Sequence, residues 1–227
     1  MIPLLLLHGA LGSASQFDEL KNKLNHQYDV HTFDFSGHGA DNYGGALSIE
    51  LFANDILNYL TDNGIEKCKI FGYSMGGYAA VTLAFKHPDR INSIITLGTK
   101  WQWDPDIAAK ETKMLDADNI SEKIPAFAEM LRYRHKGQGW RTLLKRTEEL
   151  MTELGNKGGL KEEDLRNIDI PIHIWLGLED RMVTKEESLA VSNRIKTATF
   201  RILESMPHPL EKLDMEFLAE EIIKTFR

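Results

Sequence analysis

Apolar residues in this chain fall in short unbroken runs, and between the runs they recur at every third or fourth position. Six runs predict strands: "IPLLLL" (Ile2 to Leu7), "YDVHTF" (Tyr28 to Phe33), "CKIFGY" (Cys68 to Tyr73), "SIITL" (Ser93 to Leu97), "IHIWL" (Ile172 to Leu176) and "TFRIL" (Thr199 to Leu203). Several are apolar throughout, the pattern of parallel strands covered on both faces. The intervening stretches carry helical spacing and end signals. Ser15 is placed to cap a helix bearing Phe17, Leu20 and Leu24. Ser48 is placed to cap one with Ile49, Phe52, Ile56 and Leu60 on one face and Gly64 just past its end. A third helix is expected from about Met75 to Lys86, stopping before Pro88, and a last from about Leu213 to Phe226. Strand–helix alternation implies an α/β layered sheet with right-handed crossovers.

One segment breaks the rhythm. More than 70 residues between Leu97 and Ile172 show helical periodicity and no convincing strand. Ile124, Phe127, Ala128 and Leu131 share one face; Leu143, Thr147, Leu150, Met151 and Leu154 share another, and "LGNKGG" (Leu154 to Gly159) ends that helix. A structureless loop of this length is disfavoured in a compact domain. A helical insertion over the C-terminal edge of the sheet is expected, and a lid is its natural use.

The 227 residues suffice for one sizeable core, and 42% hydrophobic with 27% charged residues is ordinary globular composition. A net charge of −7 argues against nucleic-acid or anionic-membrane partners, which require basic surface. Cys68 is the single cysteine, so no internal disulfide forms; it opens an apolar strand run and is a poor nucleophile candidate. The N-terminal apolar run lacks a basic flank and is too short to span a bilayer, so it reads as a strand, with cytoplasm the default compartment.

The chemistry centres on "GYSMGG". A G-x-S-x-G on a strand-to-helix corner holds Ser74 on a strained turn, with Gly72, Gly76 and Gly77 allowing close backbone approach. The helix beyond directs its free N–H groups and positive end there. The motif also occurs by chance, and a strand–glycine–helix turn can cradle phosphate, but the Walker lysine and the G-x-G-x-x-G spacing are absent. A serine needs a base and an orienting acid. "GLEDRMV" places Asp180 after the fifth run, with Glu179 its rival, and "ESMPHPLEKL" places His208 after the sixth. Both loops lie at the same sheet edge as Ser74. After the first run, "HGALG" turns tightly enough to present the Ala10 N–H toward the serine, making Ala10 and Met75 the candidate oxyanion donors. His8 and His38 are expected to brace their glycine turns. Trp101 and Tyr78 are candidates to line a substrate pocket, against the alternative that Trp101 and Trp103 pack the insertion onto the core. "LRYRHKGQGWRTLLKR" (Leu131 to Arg146) has six Lys/Arg and no acid; an anionic acyl group or coenzyme tail could use them, or they form a solvated helix face.

In order along the chain, "HGALG", "DFSGHG", "GYSMGG", "GLEDRMV" and "PHPLE" resemble the α/β-hydrolase superfamily over nearly the whole length. The resemblance implies a Ser74–His208–Asp180 triad, no cofactor or metal, and a helical cap over about residues 99–168 between core segments 1–98 and 169–227. It also implies that the two customary leading strands are missing. Two departures stand out: Ser36 where the family has arginine in D-x-R-G-x-G, and Pro207 where a glycine usually precedes the histidine. The expected activity is hydrolysis of a small carboxylic ester or thioester through an acyl-enzyme on Ser74. Rival readings are a menaquinone-pathway type of lyase, which usually has arginine where Tyr78 stands, a C–C bond hydrolase, and a non-catalytic receptor on the same fold.

Overall fold

The computed structural model describes residues 1–227. Six strands form one parallel sheet in the order β2-β1-β3-β4-β5-β6: β1 (Ile2–Leu7), β2 (Tyr28–Thr32), β3 (Cys68–Tyr73), β4 (Ile91–Leu97), β5 (Ile172–Glu179) and β6 (Ala198–Pro207). All six predicted runs are strands; β5 and β6 each run several residues further than their apolar cores. The run of leucines in β1 shows why continuous apolarity was required. Leu5 and Leu7 enter the core on one face, Leu4 and Leu6 the core on the other, and none is more than 1% exposed. Burial of each such side chain contributes about 1.5–3 kcal/mol.

Helices α1 (Asp18–Leu24) and α10 (Met215–Thr225) cover the Leu4 face, and α2 (Ile49–Asp62), α3 (Met75–Lys86) and α9 (Lys185–Ser192) the Leu5 face. Ser48 caps α2 through the Leu51 N–H at 3.0 Å, as its position predicted. Ser15 does not cap α1. It lies inside a 3-10 turn, Ala14–Phe17, which the chain enters through Ser13, whose N–H donates to Gln16 Oε1 at 3.0 Å. Asp214 caps α10, two residues later than the expected start, accepting from the Glu216 and Phe217 N–H groups.

Between β4 and β5 the chain is helical: α4 (Pro105–Thr112), α5 (Ala117–Lys123), α6 (Pro125–Arg134), α7 (Trp140–Lys157) and α8 (Glu162–Arg166). Leu143, Thr147 and Leu150 of α7 are buried, and Gly158 ends that helix in the left-handed conformation at φ 81°. Ile124 departs from its expected face: it precedes Pro125 at the start of α6 and is 54% exposed. No helix is long and apolar enough to cross a membrane.

The chain leaves β1 toward β2, then crosses back to β3 on the opposite side of β1. Adjacent β1 and β3 therefore send their C-terminal connections to opposite faces, opening a crevice at that edge. The glycines of the β3–α3 corner close it tightly. A Cβ on Gly72 would lie 2.5 Å from Gly77 Cα, and one on Gly76 would lie 2.5 Å from the Leu7 carbonyl oxygen and 2.7 Å from that of His8. The obstructing atoms are backbone, so they yield only if β1 and α3 separate. Gly76→Ala is expected to destabilise the fold by about 2 kcal/mol or more, read as a lowered urea midpoint at unchanged m-value.

Candidate active site

Ser74 occupies the corner between β3 and α3 at φ 51°, ψ −119°, outside the regions an L-residue ordinarily adopts. Four hydrogen bonds hold it there. Its N–H donates to the Leu97 carbonyl at 2.8 Å, and its carbonyl accepts from the Thr99 hydroxyl at 2.9 Å and from the N–H groups of Gly77 and Tyr78 at 3.0 and 3.3 Å. Met75 is the first residue of α3, so its N–H has no intrahelical acceptor and points outward with the positive helix end.

Asp180 and His208 meet across the ends of β5 and β6. His208 Nδ1 lies 2.7 Å from Asp180 Oδ2, while Asp180 Oδ1 accepts from the N–H groups of Met182 at 2.8 Å and Val183 at 3.0 Å. The Asp180 side chain is 2% exposed and that of His208 11%. A proton on Nδ1, shared with the carboxylate, leaves Nε2 as the basic nitrogen. Glu179, the rival acid, points into solvent. Two residues that sequence reasoning passed over support the pair. Tyr73 donates its hydroxyl to the His208 carbonyl at 2.8 Å. Gly98, at φ 61°, lies where a Cβ would sit 3.1 Å from Asp180 Oδ2 and 3.2 Å from His208 Nδ1. Pro207, despite replacing the expected glycine, pairs with Glu179 beyond a register slip in β5–β6, with Ser205 at φ 55° turning the strand.

The turn after β1 is braced by histidines. His8 Nδ1–H donates to the Gly9 carbonyl at 2.8 Å, and Nε2 accepts from the Phe35 N–H at 3.1 Å. His38 lies beside it, ring centroids 5.0 Å apart and tilted by 52°, and donates to the Ser36 carbonyl. The third member, His135, comes from the helical segment: Nδ1 accepts from the Gly39 N–H at 3.0 Å and Nε2–H donates to the Leu11 carbonyl at 2.9 Å. Arg134 donates to the same carbonyl at 3.1 Å and pairs with Glu211 at 2.8 Å. No motif marks His135; its role arises from a contact across more than a hundred residues. Ser36, in place of the family's arginine, binds the Asp55 carboxylate through both its N–H and its hydroxyl at 2.9 Å.

A cavity of about 60 Å³ lies over the corner, lined by Ala10, Ser74, Met75 and His208 at the sheet edge and by Trp103, Leu150 and Met151 opposite. Tyr78 is in its wall, but Trp101 is not. Trp101 stacks on Tyr78, centroids 5.8 Å apart, inside the core, and Trp103 is the tryptophan that reaches the cavity. In the basic run Arg132, Lys136, Arg141 and Lys145 are solvent-exposed, as the solvated-face reading expects, while Arg134 and Arg146 are half-buried against the core segments. Arg132 pairs with Glu129, Arg134 with Glu211, Arg141 with Asp118, and Arg146 binds the Tyr43 and Gly44 carbonyls. No group of three or more His, Cys, Asp or Glu side chains is arranged to hold a metal ion.

A strained serine at a strand–helix corner, beside a buried His–Asp pair at the same sheet edge, defines a class of architecture. The model of the alpha/beta hydrolase fold family matches residues 2–136, and the chain belongs to that family. Over 98% of its length it is 27% identical to a pimeloyl-[acyl-carrier protein] methyl ester esterase of Aeromonas hydrophila, covering 94% of that protein. It is 31% identical over 97 residues to the sn-1-specific diacylglycerol lipase ABHD11 of Danio rerio, spanning 31% of that protein. The matches to the first five curated relatives span less than half of their length, 31–46%. Among solved structures, an enol-lactonase from Burkholderia xenovorans superposes with a TM-score of 0.80 at 18% identity, covering 99% of this chain and 91% of that one. A thermophilic esterase from Thermogutta terrifontis gives 0.78 at 20%, covering 100% and 90%. At these identities the superpositions show the fold alone.

The three bracing histidines have a measurable consequence. Burial holds His8 down to about 3, with the Gly9 hydrogen bond opposing; His38 is driven well below its ordinary value and His135 is lowered, both mainly by burial. Arg134 lowers His8 and His135 further, while Asp34 raises His38 and His135. These groups are neutral when folded and charge near pH 6.5 when unfolded. Their contribution to stability is therefore fully present above pH 6.5 and is lost as pH falls, for His8 down to about 3. At pH 5 the loss from His8 alone is roughly 2 kcal/mol. Denaturant unfolding between pH 7.5 and 5 is expected to show stability falling with acid, and His38→Gln to reduce the protons taken up on unfolding by about one.

Proposed function

We infer that this protein is a serine hydrolase of small carboxylic esters or thioesters, with Ser74, His208 and Asp180 as its catalytic residues. One observation carries the reading: Ser74, strained at φ 51°, opens into the same cavity as a histidine whose Nδ1 is held 2.7 Å from a buried carboxylate. Esterases and a lipase among the relatives support it.

The chemistry is acyl transfer to water. Ser74 Oγ attacks the substrate carbonyl carbon while His208 Nε2 takes the hydroxyl proton, and Asp180 stabilises the imidazolium. The N–H groups of Ala10 and Met75 receive the oxyanion, a contribution of roughly 10²–10³ in rate per donor. The tetrahedral adduct collapses, the C–O or C–S bond breaks, and His208 returns its proton to the leaving alcohol or thiol. Water then attacks the acyl-enzyme with His208 as base, releasing the acid and the free serine. The helical segment, about residues 99–168, serves as the cap: Trp103, Leu150, Met151 and Leu154 form the roof of the cavity.

A fluorophosphonate probe is expected to label the protein covalently, with labelling and p-nitrophenyl ester turnover both lost in Ser74→Ala. Absence of both in the wild-type protein would favour the non-catalytic reading. The cavity also predicts chain-length preference. At roughly 10–15 Å³ per water, 60 Å³ admits about four to six water-sized groups. p-Nitrophenyl acetate to butyrate should exceed octanoate at least about tenfold in kcat/KM.

A further inference from the structure

The cavity over Ser74 is mostly apolar, yet Lys100 and Glu111 both belong to its wall. Lys100 Nζ donates to the Met182 carbonyl at 3.0 Å and stands 3.6 Å from Glu111 Oε1 and 3.8 Å from Glu187 Oε2. The two carboxylates are in different conditions. Glu187 accepts from the Trp101 N–H at 2.9 Å on one oxygen, and from the N–H and hydroxyl of Thr184 at 3.3 and 3.2 Å on the other. Both of its oxygens are used. Glu111 is 5% exposed, and its single partner is the ammonium at 3.6 Å, beyond hydrogen-bond range.

No protein group donates a hydrogen bond to Glu111, so its ion-paired oxygens keep their acceptor capacity for whatever enters the cavity. The Met182 carbonyl and Glu187 hold Lys100 in place beside Glu111. Its unused acceptors border the space a substrate would fill. One ammonium against two carboxylates leaves the cluster with an excess negative charge, which repels an anionic substrate terminus and favours a neutral donor or a cation.

We propose that Glu111, oriented by Lys100, is a specificity subsite that receives a hydrogen-bond donor, a hydroxyl or an ammonium group, carried on the short acyl chain of the substrate. The proposal rests on the ester-hydrolase reading for the reacting end and adds the chemistry of the other end. Hydrogen bonds to a charged group discriminate more strongly than neutral ones, and an apolar terminus would cover the carboxylate without donating a hydrogen bond to it. The substrate class is thus a small hydroxyacyl or aminoacyl ester, and the simple alkanoate is the disfavoured case.

The test uses three isosteric esters that differ only in the terminal group: ethyl butanoate (methyl), ethyl 3-hydroxypropanoate (hydroxyl) and ethyl 3-aminopropanoate (ammonium). Calorimetric titration into Ser74→Ala separates recognition from turnover. The hydroxyl and ammonium esters are expected to bind about tenfold or more tightly than ethyl butanoate, and this advantage is expected to shrink to about twofold in Ser74→Ala/Glu111→Gln. Equal affinity for the three esters overturns the proposal, as does an advantage that survives Glu111→Gln. Should the double variant fail to fold, the comparison within Ser74→Ala still decides, since absence of the tenfold advantage there is sufficient to reject it. Fluorophosphonate labelling of the wild-type protein without discrimination among the esters sinks the subsite alone. Discrimination in Ser74→Ala with no labelling of the wild-type protein sinks the hydrolase reading alone.

Discussion

Ser74 is held in a backbone conformation that costs an L-residue about 1–3 kcal/mol, and the surroundings that impose it also organise the sheet edge. The Leu97 carbonyl binds its N–H, and the Thr99 hydroxyl binds its carbonyl, so the end of β4 and the residues after it grip the corner from one side. From the other side the β1 backbone presses on Gly76, and a Cβ on Gly9 would lie 3.0 Å from the Ser74 Cβ. Any residue larger than glycine at position 76 would separate α3 from β1. The same crowding brings the turn carrying Ala10 next to the first turn of α3, so one steric constraint sets both the serine and its neighbouring N–H groups.

The His208–Asp180 pair depends on that corner indirectly. Tyr73, the residue before Ser74, reaches across to the His208 carbonyl, and Gly98, the residue after β4, leaves room against both side chains. Contacts from β3 and β4 thus define where the loops after β5 and β6 converge. The bulged end of β6, with Ser205 in the left-handed region, supplies the remaining adjustment. A loop with proline in place of the usual glycine reaches the same position because the bulge, not residue 207, makes the turn.

What could be read from the chain alone follows from the range of the interactions involved. Strands and the β3–α3 corner were legible because their signals are local: continuous apolar runs, a glycine pattern, a cap at Ser48. Asp180 and His208 were legible because parallel topology sends every strand's C-terminal loop to one edge. His135, Tyr73 and Gly98 were not, since their significance lies in partners far away in sequence. Trp101 and Trp103 show the limit most sharply. Two residues apart in an irregular segment, they differ in role only because the Tyr78 ring happens to face one of them. Ser15 failed for a smaller reason, a 3-10 turn that moved the entry point back to Ser13.

The basic run from Leu131 to Arg146 bears on specificity through what it no longer offers. Four of its six cations are engaged in ion pairs or carbonyl bonds, and of the remaining two Lys136 lies over the Tyr133 ring. A polyanionic tail needs several free cations held close together, and exposed pairs already formed would have to be broken to supply them. The arginines instead fasten the helical segment to the core: Arg134 and His135 to the turn after β1, Arg146 to the carbonyls before α2. The segment is thus anchored on both sides of the crevice, and Trp103, Leu150 and Met151 from it line the cavity of about 60 Å³. What enters that space meets mainly apolar walls, with Lys100 and Glu111, 3.6 Å apart, as an ion pair among them.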